Sequence, residues 1–223
     1  MVREKLAKKK SFTFEEGMAV LPETSTVSFD ASSEVHVKLG IDVSKGEQMV
    51  RSTVSLPHGT GKKVRIIAFV PESHVKEATS AGAIEAGSDL LLEKIQKGWL
   101  DFDMAVAHPD IMKHLGKVAK ILGPKGLMPN PKAGTVSPNI AVTIKELILG
   151  RVEFRNDKLG NLHNVFGKIS FGKEKLLENL KVYLKAVNDA KPKDVKGVFI
   201  QSVTLSTTMG PAVKVDPSEV AKL

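Results

Sequence analysis

The 223-residue chain contains no cysteine. That removes disulfides, thiolate catalysis and cysteine-ligated zinc together, and it fits a reducing compartment. Aromatics are scarce, at 5% with one Trp and one Tyr, so a nucleic-acid partner would be met through phosphate and shape contacts rather than by stacking bases on aromatic platforms. No apolar run approaches the length of a membrane span, and Met1–Lys10 lacks the apolar stretch of a secretory signal. A soluble intracellular protein with no membrane partner is therefore expected. What is plentiful is cation: the net charge is +8 and the pI about 9.5, which points to a polyanion. A hydrophobic content of 42% suffices for one large core or two ordinary ones.

The N-terminal arm carries Arg3, Lys5, Lys8, Lys9 and Lys10, followed by a short segment, Thr13 to Val20, with Glu15 and Glu16 placed for a helix N-terminus. Residues 29–42 alternate as a strand, with Val35, Val37, Leu39 and Ile41 inward and Glu34, His36 and Lys38 outward. Val50, Val54 and Leu56 alternate with Arg51, Thr53 and Ser55, and read as a second strand of the same sheet. Pro57-His58-Gly59-Thr60-Gly61-Lys62-Lys63 tempts a phosphate-loop reading, but Lys63 stands where the Walker pattern needs Ser or Thr. Val64 stands where the dinucleotide fingerprint needs its third glycine. No cofactor is expected, and the segment reads as a hinge.

Beyond it the rhythm becomes strand-helix alternation. Val64 to Val70 is nearly all apolar, as a parallel strand buried on both faces requires. Helices are predicted over 72–81, 88–99, 109–122 and 139–149, the last with Ile140, Ile144, Leu147 and Ile148 inward, and strands over 83–87 and 104–107. The loop 122–135 is dense in Gly and Pro, which makes a shaped structural crossing, with a second nucleic-acid contact as the alternative. After Gly150 hairpin rhythm returns: Val152 and Phe154 alternate with Glu153 and Arg155, residues 156–160 turn, and 162–171 return with Lys168 and Ser170 outward. A helix over 174–190 buries Leu176, Leu177, Leu180, Tyr183, Leu184 and Val187.

Neither end makes a domain alone. The economical arrangement is an α+β domain built from residues 1–59 and 151–223, with a three-layer Rossmann-like α/β domain, residues 60–150, inserted through two crossings at Gly59 and Gly150 that act as a hinge. The stretch Ser202 to Pro211 then stands out. Val203 and Leu205 mark one face, while Ser202, Thr204, Ser206 and Thr208 give the other a row of hydroxyls ending in Met209-Gly210, where a partner's backbone could approach closely.

An enzyme is disfavoured by the failed phosphate-loop patterns and by the lack of a nucleophile elbow. His108 and His114 lack zinc-helix spacing, so no metal is expected. A sequence-specific DNA binder would need a helix with clustered Arg, Asn and Gln, which the chain lacks.

The segments FDASSEVHVKLGID, VSLPHGTGKKVRI, LGPKGLMPNPKAGTV, GRVEFRNDKLGNLH and STTMGPAVKVD, in this order and spacing, resemble the ribosomal protein L1 family of the large subunit, of bacterial type. The resemblance covers essentially the whole chain. It implies the split two-domain architecture, a place in the large subunit of a cytoplasmic or organellar ribosome, and no catalysis. It further implies binding of 23S-type ribosomal RNA to form the mobile L1 stalk, which assists release of deacylated tRNA from the exit site, and translational repression through the chain's own-operon messenger RNA. Its RNA-contact patch falls here on Phe29, Ser32, Glu34 and Lys38, on Lys168 and Ser170, and on Thr208, Met209 and Gly210.

Overall fold

The computed structural model describes Leu6 and residues 9–222; Arg3, Lys5 and Lys8 of the basic arm lie outside them. In chain order the helices are α1 (Phe14–Val20), α2 (Glu72–Ser80), α3 (Asp89–Gln96), α4 (Ala119–Leu122), α5 (Ile140–Ile148) and α6 (Lys173–Asp189). The strands are β1 (Ser32–Leu39), β2 (Arg51–Ser55), β3 (Ile66–Phe69), β4 (Glu85–Gly87), β5 (Met104–Ala107), β6 (Arg151–Arg155), β7 (Asn161–Lys168), β8 (Ile200–Thr207) and β9 (Val213–Val215). The chain divides into two compact units, one from Met1–Gly61 with Val152–Leu223 and the other Lys62–Arg151.

The first unit is built on a four-stranded antiparallel sheet of order β7-β1-β8-β9. Alternation in β1 buries Ser33, Val35, Val37 and Leu39 and leaves Ser32, Glu34, His36 and Lys38 half-exposed. The inner face meets the apolar stripe of α6, whose Leu176, Leu180, Tyr183, Leu184 and Val187 are buried with Val35, Val203, Leu205 and Phe166 in one core. Helix α1 starts where a capping box fixes it. The Thr13 hydroxyl accepts from the Glu16 amide at 3.3 Å, and the Glu16 carboxylate accepts from the Thr13 amide at 3.0 Å. Its buried Phe14 and Met18 join the same core.

Strand β2 does not extend this sheet. It pairs with β6 in a separate two-stranded sheet, and the two sides of β1 are taken by β7 and β8.

The second unit is a parallel sheet of order β4-β3-β5 with apolar layers on both faces. All four residues of β3 are buried. Ile67 and Phe69 pack with Leu91, Leu92 and Ile95 of α3 and with Leu115, Val118 and Leu122; Ile66 and Ala68 pack with Ala78 of α2 and Ile140, Ile144 and Leu147 of α5. Ile148 is not part of that stripe and is about half exposed. At about 100° per residue it falls well around the helix from the Ile140–Ile144–Leu147 line. The predicted helix over 109–122 divides into a 3₁₀ segment, Pro109–Lys117, and the short α4. Gly116 weakens an α-helix there, and the buried Leu115 and Val118 are three apart, the repeat a 3₁₀ segment presents on one side.

Candidate nucleic-acid interface

The outer face of the four-stranded sheet is a polar surface whose rows follow from strand register. Ser32 lies opposite Lys168, Glu34 between Val165 and Ser206, His36 between His163 and Thr204, and Lys38 between Asn161 and Ser202. Most of the residues singled out from the sequence gather at one end. The Thr208 amide donates to the Ser32 carbonyl at 3.0 Å, and the Thr208 hydroxyl oxygen accepts from the Ser32 amide at 3.1 Å. That oxygen also stands 3.5 Å from a Glu34 carboxylate oxygen. Lys168 Nζ donates to the Asp30 carbonyl at 3.1 Å and to Ser32 Oγ at 3.0 Å, which leaves one of its three N–H groups for an anion.

Lys168 reaches this face through a β-bulge. The register slips between Ser33 and Glu34, which oppose Gly167 and Val165, so Phe166 is the extra residue. Phe166 and Gly167 both point to the core, and Lys168 is returned to the outer face. Gly167 is needed for this, since a Cβ there would sit 2.5 Å from Leu176 Cδ2. The strand ends at Lys168, and Ser170 occupies a 3₁₀ turn.

Asp30, which sequence reasoning passed over, organises that turn. Its carboxylate accepts from the Ser170 amide at 3.1 Å and from the Ser170 hydroxyl at 2.8 Å. Those bonds, with the Lys168 charge behind them, hold its carboxyl below the usual range. The only signal was an acidic residue just before a strand. Phe29, beside it, is 59% exposed, a ring left in solvent at the edge of the patch.

The turn after β8 is the most constrained feature. Met209 is the only non-glycine residue with positive φ among the described residues, at 65°, and it is 81% exposed. Gly210 sits where nothing larger fits: a Cβ would be 2.0 Å from Thr207 Oγ1 and 2.9 Å from the Thr24 carbonyl. Beneath the turn the Thr207 hydroxyl lies 3.2 Å from that of Thr24, which donates to the Leu21 carbonyl at 2.6 Å. The Thr26 hydroxyl reaches the Met209 carbonyl at 3.4 Å.

Lys38 stands apart, six residues along β1 from Ser32, a separation of roughly 20 Å. Its ammonium group donates to the Leu159 carbonyl in the β6–β7 turn. That turn is pinned by Asp157, which accepts from the Leu159 amide at 2.8 Å and the Asn161 amide at 2.7 Å. These bonds lower its carboxyl to about 2. Between the two ends sit His36 and His163, with Nδ1 atoms 2.9 Å apart, so one ring donates and the other accepts. His36 Nε2 lies 3.0 Å from Ser206 Oγ. Burial first, and then His163, lower the pKa of His36, against the Glu34 charge.

Of the two crossing glycines, Gly59 has φ 66° and Gly150 φ 111°. Gly59 is gripped from below by Asn179, a fully buried polar residue in the middle of α6. The Asn179 amide accepts from the His58 amide at 3.1 Å and donates to the carbonyls of Gly59 at 2.9 Å and Phe166 at 2.8 Å. In sequence it is an ordinary polar position on a helix that flanks the apolar stripe. Among the described residues no group of three or more potential metal ligands gathers, and no described helix is long and apolar enough to cross a membrane.

Residues 21–211 match the model of the ribosomal protein L1p/L10e family. The chain is 50% identical over 222 residues to the large ribosomal subunit protein uL1 of Thermosipho melanesiensis, covering 99% of this chain and 96% of that protein. It is 48% identical over 215 residues to the protein of the same name from Thermus thermophilus, covering 96% and 94%. With that of Salinispora arenicola it shares 49% over 214 residues, covering 96% and 90%. A match of this extent, spanning both units and every motif on the polar sheet face, leaves one conclusion: the chain belongs to the ribosomal protein L1p/L10e family.

Proposed function

We propose that the chain is a structural, non-catalytic constituent of the large ribosomal subunit in the cytoplasm, and that it binds 23S-type ribosomal RNA through the outer face of its four-stranded sheet. The observation that carries this reading is Met209. A bulky residue in the left-handed region costs on the order of 1–2 kcal/mol, and nothing in the fold needs a side chain at a position that is 81% exposed. Strain kept at a surface corner points to a contact made by that corner. Around it are groups suited to folded RNA. The hydroxyls of Ser32, Ser170 and Thr208 and the backbone at Gly210 can meet 2′-hydroxyls in a shallow minor groove. Glu34 can accept from a base amine or a 2′-hydroxyl, and Lys168 can hold a phosphate. Phe29 offers an apolar edge, and Lys38 is a second, distant phosphate contact.

RNA bound on this face would form the mobile L1 stalk, with Gly59 and Gly150 as the hinge between the two units. The stalk would assist release of deacylated tRNA from the exit site. The same surface would repress translation by binding an own-operon messenger RNA that presents a similar structure.

The experiment is a binding titration against a 23S-type ribosomal RNA fragment and an unrelated structured RNA, at two salt concentrations, for the natural chain and Met209→Gly. Glycine relieves the φ strain but loosens the unfolded chain, two effects of about 1 kcal/mol each and opposite sign. The unfolding midpoint should therefore stay put or rise, while affinity for the ribosomal RNA falls about fivefold or more. A folded Met209→Gly protein with unchanged affinity, or equal binding of both RNAs that collapses at the higher salt, would remove the sheet face as the specific site.

A further inference from the structure

The second unit carries a charge pattern that the sheet-face reading leaves unused. Lys62–Arg151 contains 13 basic and 9 acidic residues, but residues 111–138 hold 5 of those bases, all Lys, and no acid. The rest of the unit is thus net negative by one, and this stretch supplies its entire positive charge.

The stretch is a built lobe. It leaves the sheet at Ala107 and returns to it: the Ala107 amide donates to the Thr135 carbonyl at 2.9 Å, and the Ser137 amide to the Ala107 carbonyl at 3.2 Å. Leu115, Val118 and Leu122 anchor it in the core, all fully buried. Inside it, the Leu127 amide donates to the Leu122 carbonyl at 3.0 Å, and Thr135 Oγ1 accepts from the Asn130 amide at 2.8 Å. Lys113, Lys117, Lys120 and Lys125 are all exposed. Among the described residues none of the four is held in an ion pair, nor are Lys63, Lys76, Lys97 and Lys145, whereas Lys62, Arg65 and Lys94 are paired with Asp103, Asp101 and Glu85; what sets the lobe apart is that it holds no acid at all. Surfaces that serve solubility alone intersperse the two signs.

We infer that this lobe is a second, sequence-independent RNA-binding surface, docking the phosphate backbone of a structured RNA through Lys113, Lys117, Lys120 and Lys125. A protein partner fits less well. Protein interfaces are centred on large apolar or aromatic anchors, and none of the exposed large hydrophobic residues of the chain lies between 108 and 136. Lysines are point charges on flexible stems, which suits phosphates and gives no reading of base sequence.

The test is the salt dependence of binding of the full chain to an RNA hairpin with no ribosomal sequence. Two variants of equal net charge are compared, K113Q/K117Q/K120Q/K125Q and K173Q/K175Q/K181Q/K185Q, the latter on the exposed side of α6. Each phosphate contact contributes roughly 0.7–0.9 to the slope of log K against log salt. The lobe variant should lower that slope by about 3, and the α6 variant by less than about 1. Equal losses in both variants would reduce the effect to overall charge and overturn the inference. So would an unchanged slope accompanied by poor incorporation of the lobe variant into large subunits, which would assign the lobe to an acidic protein. Met209→Gly removes no cation and leaves this slope where it is, so failure here and failure of the sheet-face reading are told apart.

Discussion

The two units solve the same packing problem in opposite ways. In the second, a parallel sheet is covered on both faces, and β3 is buried at every residue; its strands have no surface left, so any partner must meet loops and the outer sides of helices. In the first, an antiparallel sheet puts α6 on one face and leaves the other polar, with β1 alternating half-exposed and buried along its whole length. An antiparallel sheet with one free face can hold side chains in fixed rows at strand spacing, and the hydrogen-bonded ladder keeps those rows rigid. The contrast explains why the specific contacts are assigned to a sheet in one unit and the sequence-independent ones to a lobe in the other.

The comparison can be broken hardest at Asn179. Replacing it with Ala leaves the His58 amide and the Gly59 and Phe166 carbonyls without their partner, a loss of about 3 kcal/mol. That loss should fall on the first unit alone. Amide exchange should quicken at His58 and in α6 and β7, while β3 amides keep their protection; equal loss in both units would mean that they do not fold as separate compact bodies. Gly210→Ala comes next. It forces a Cβ against Thr207 Oγ1 and the Thr24 carbonyl, an overpacking of about 2 kcal/mol. Thermal unfolding should shift down, and affinity for ribosomal RNA should fall about tenfold or more; full retention of both would show that the turn has room to move.

The smallest effect is pH dependence. Burial and His163 hold the folded pKa of His36 below its ordinary value of 6.5, so the unfolded chain binds more protons and the stability of the first unit is lost as pH falls below about 6.5. The groups facing His36 are His163, Glu34 and Ser206. Denaturant midpoints at roughly pH 5 and pH 8 should differ less in His36→Gln than in the natural chain. An unaltered difference would place the pH dependence elsewhere.

Much of this was legible in the residues. The outward row Glu34, His36, Lys38 and the inward row Val35, Val37, Leu39 are written as alternation in β1, and the buried character of β3 is written as an unbroken apolar run. The stripe of α6 follows from its period, whereas Gly210, read from the sequence as room for a partner's backbone, is crowded by the chain's own Thr207 and Thr24. The outward placement of Lys168 read from the sequence holds, but alternation does not account for it. Strict alternation puts Lys168 on the same face as Leu162 and Phe166, both buried; the bulge at Phe166 reverses that parity, and no local pattern announces a bulge. Placing β2 in the same sheet as β1 failed for a related reason. Whether an edge is free depends on which distant strands have already taken it.

Local chemistry thus determined by sequence alone most of the element types and most of the faces they bury, the basic balance and the run of lysines between 111 and 138, because these depend on period, propensity and charge. The tertiary structure decided which residues meet. It brought Ser32, Lys168 and Thr208 to one corner, set the Leu159 carbonyl against the Lys38 ammonium group, set Asn179 under Gly59, and held Met209 at positive φ. Each of these rests on contacts between positions far apart in the chain, and the free energy of such contacts exists only once the packed core has fixed register and direction together.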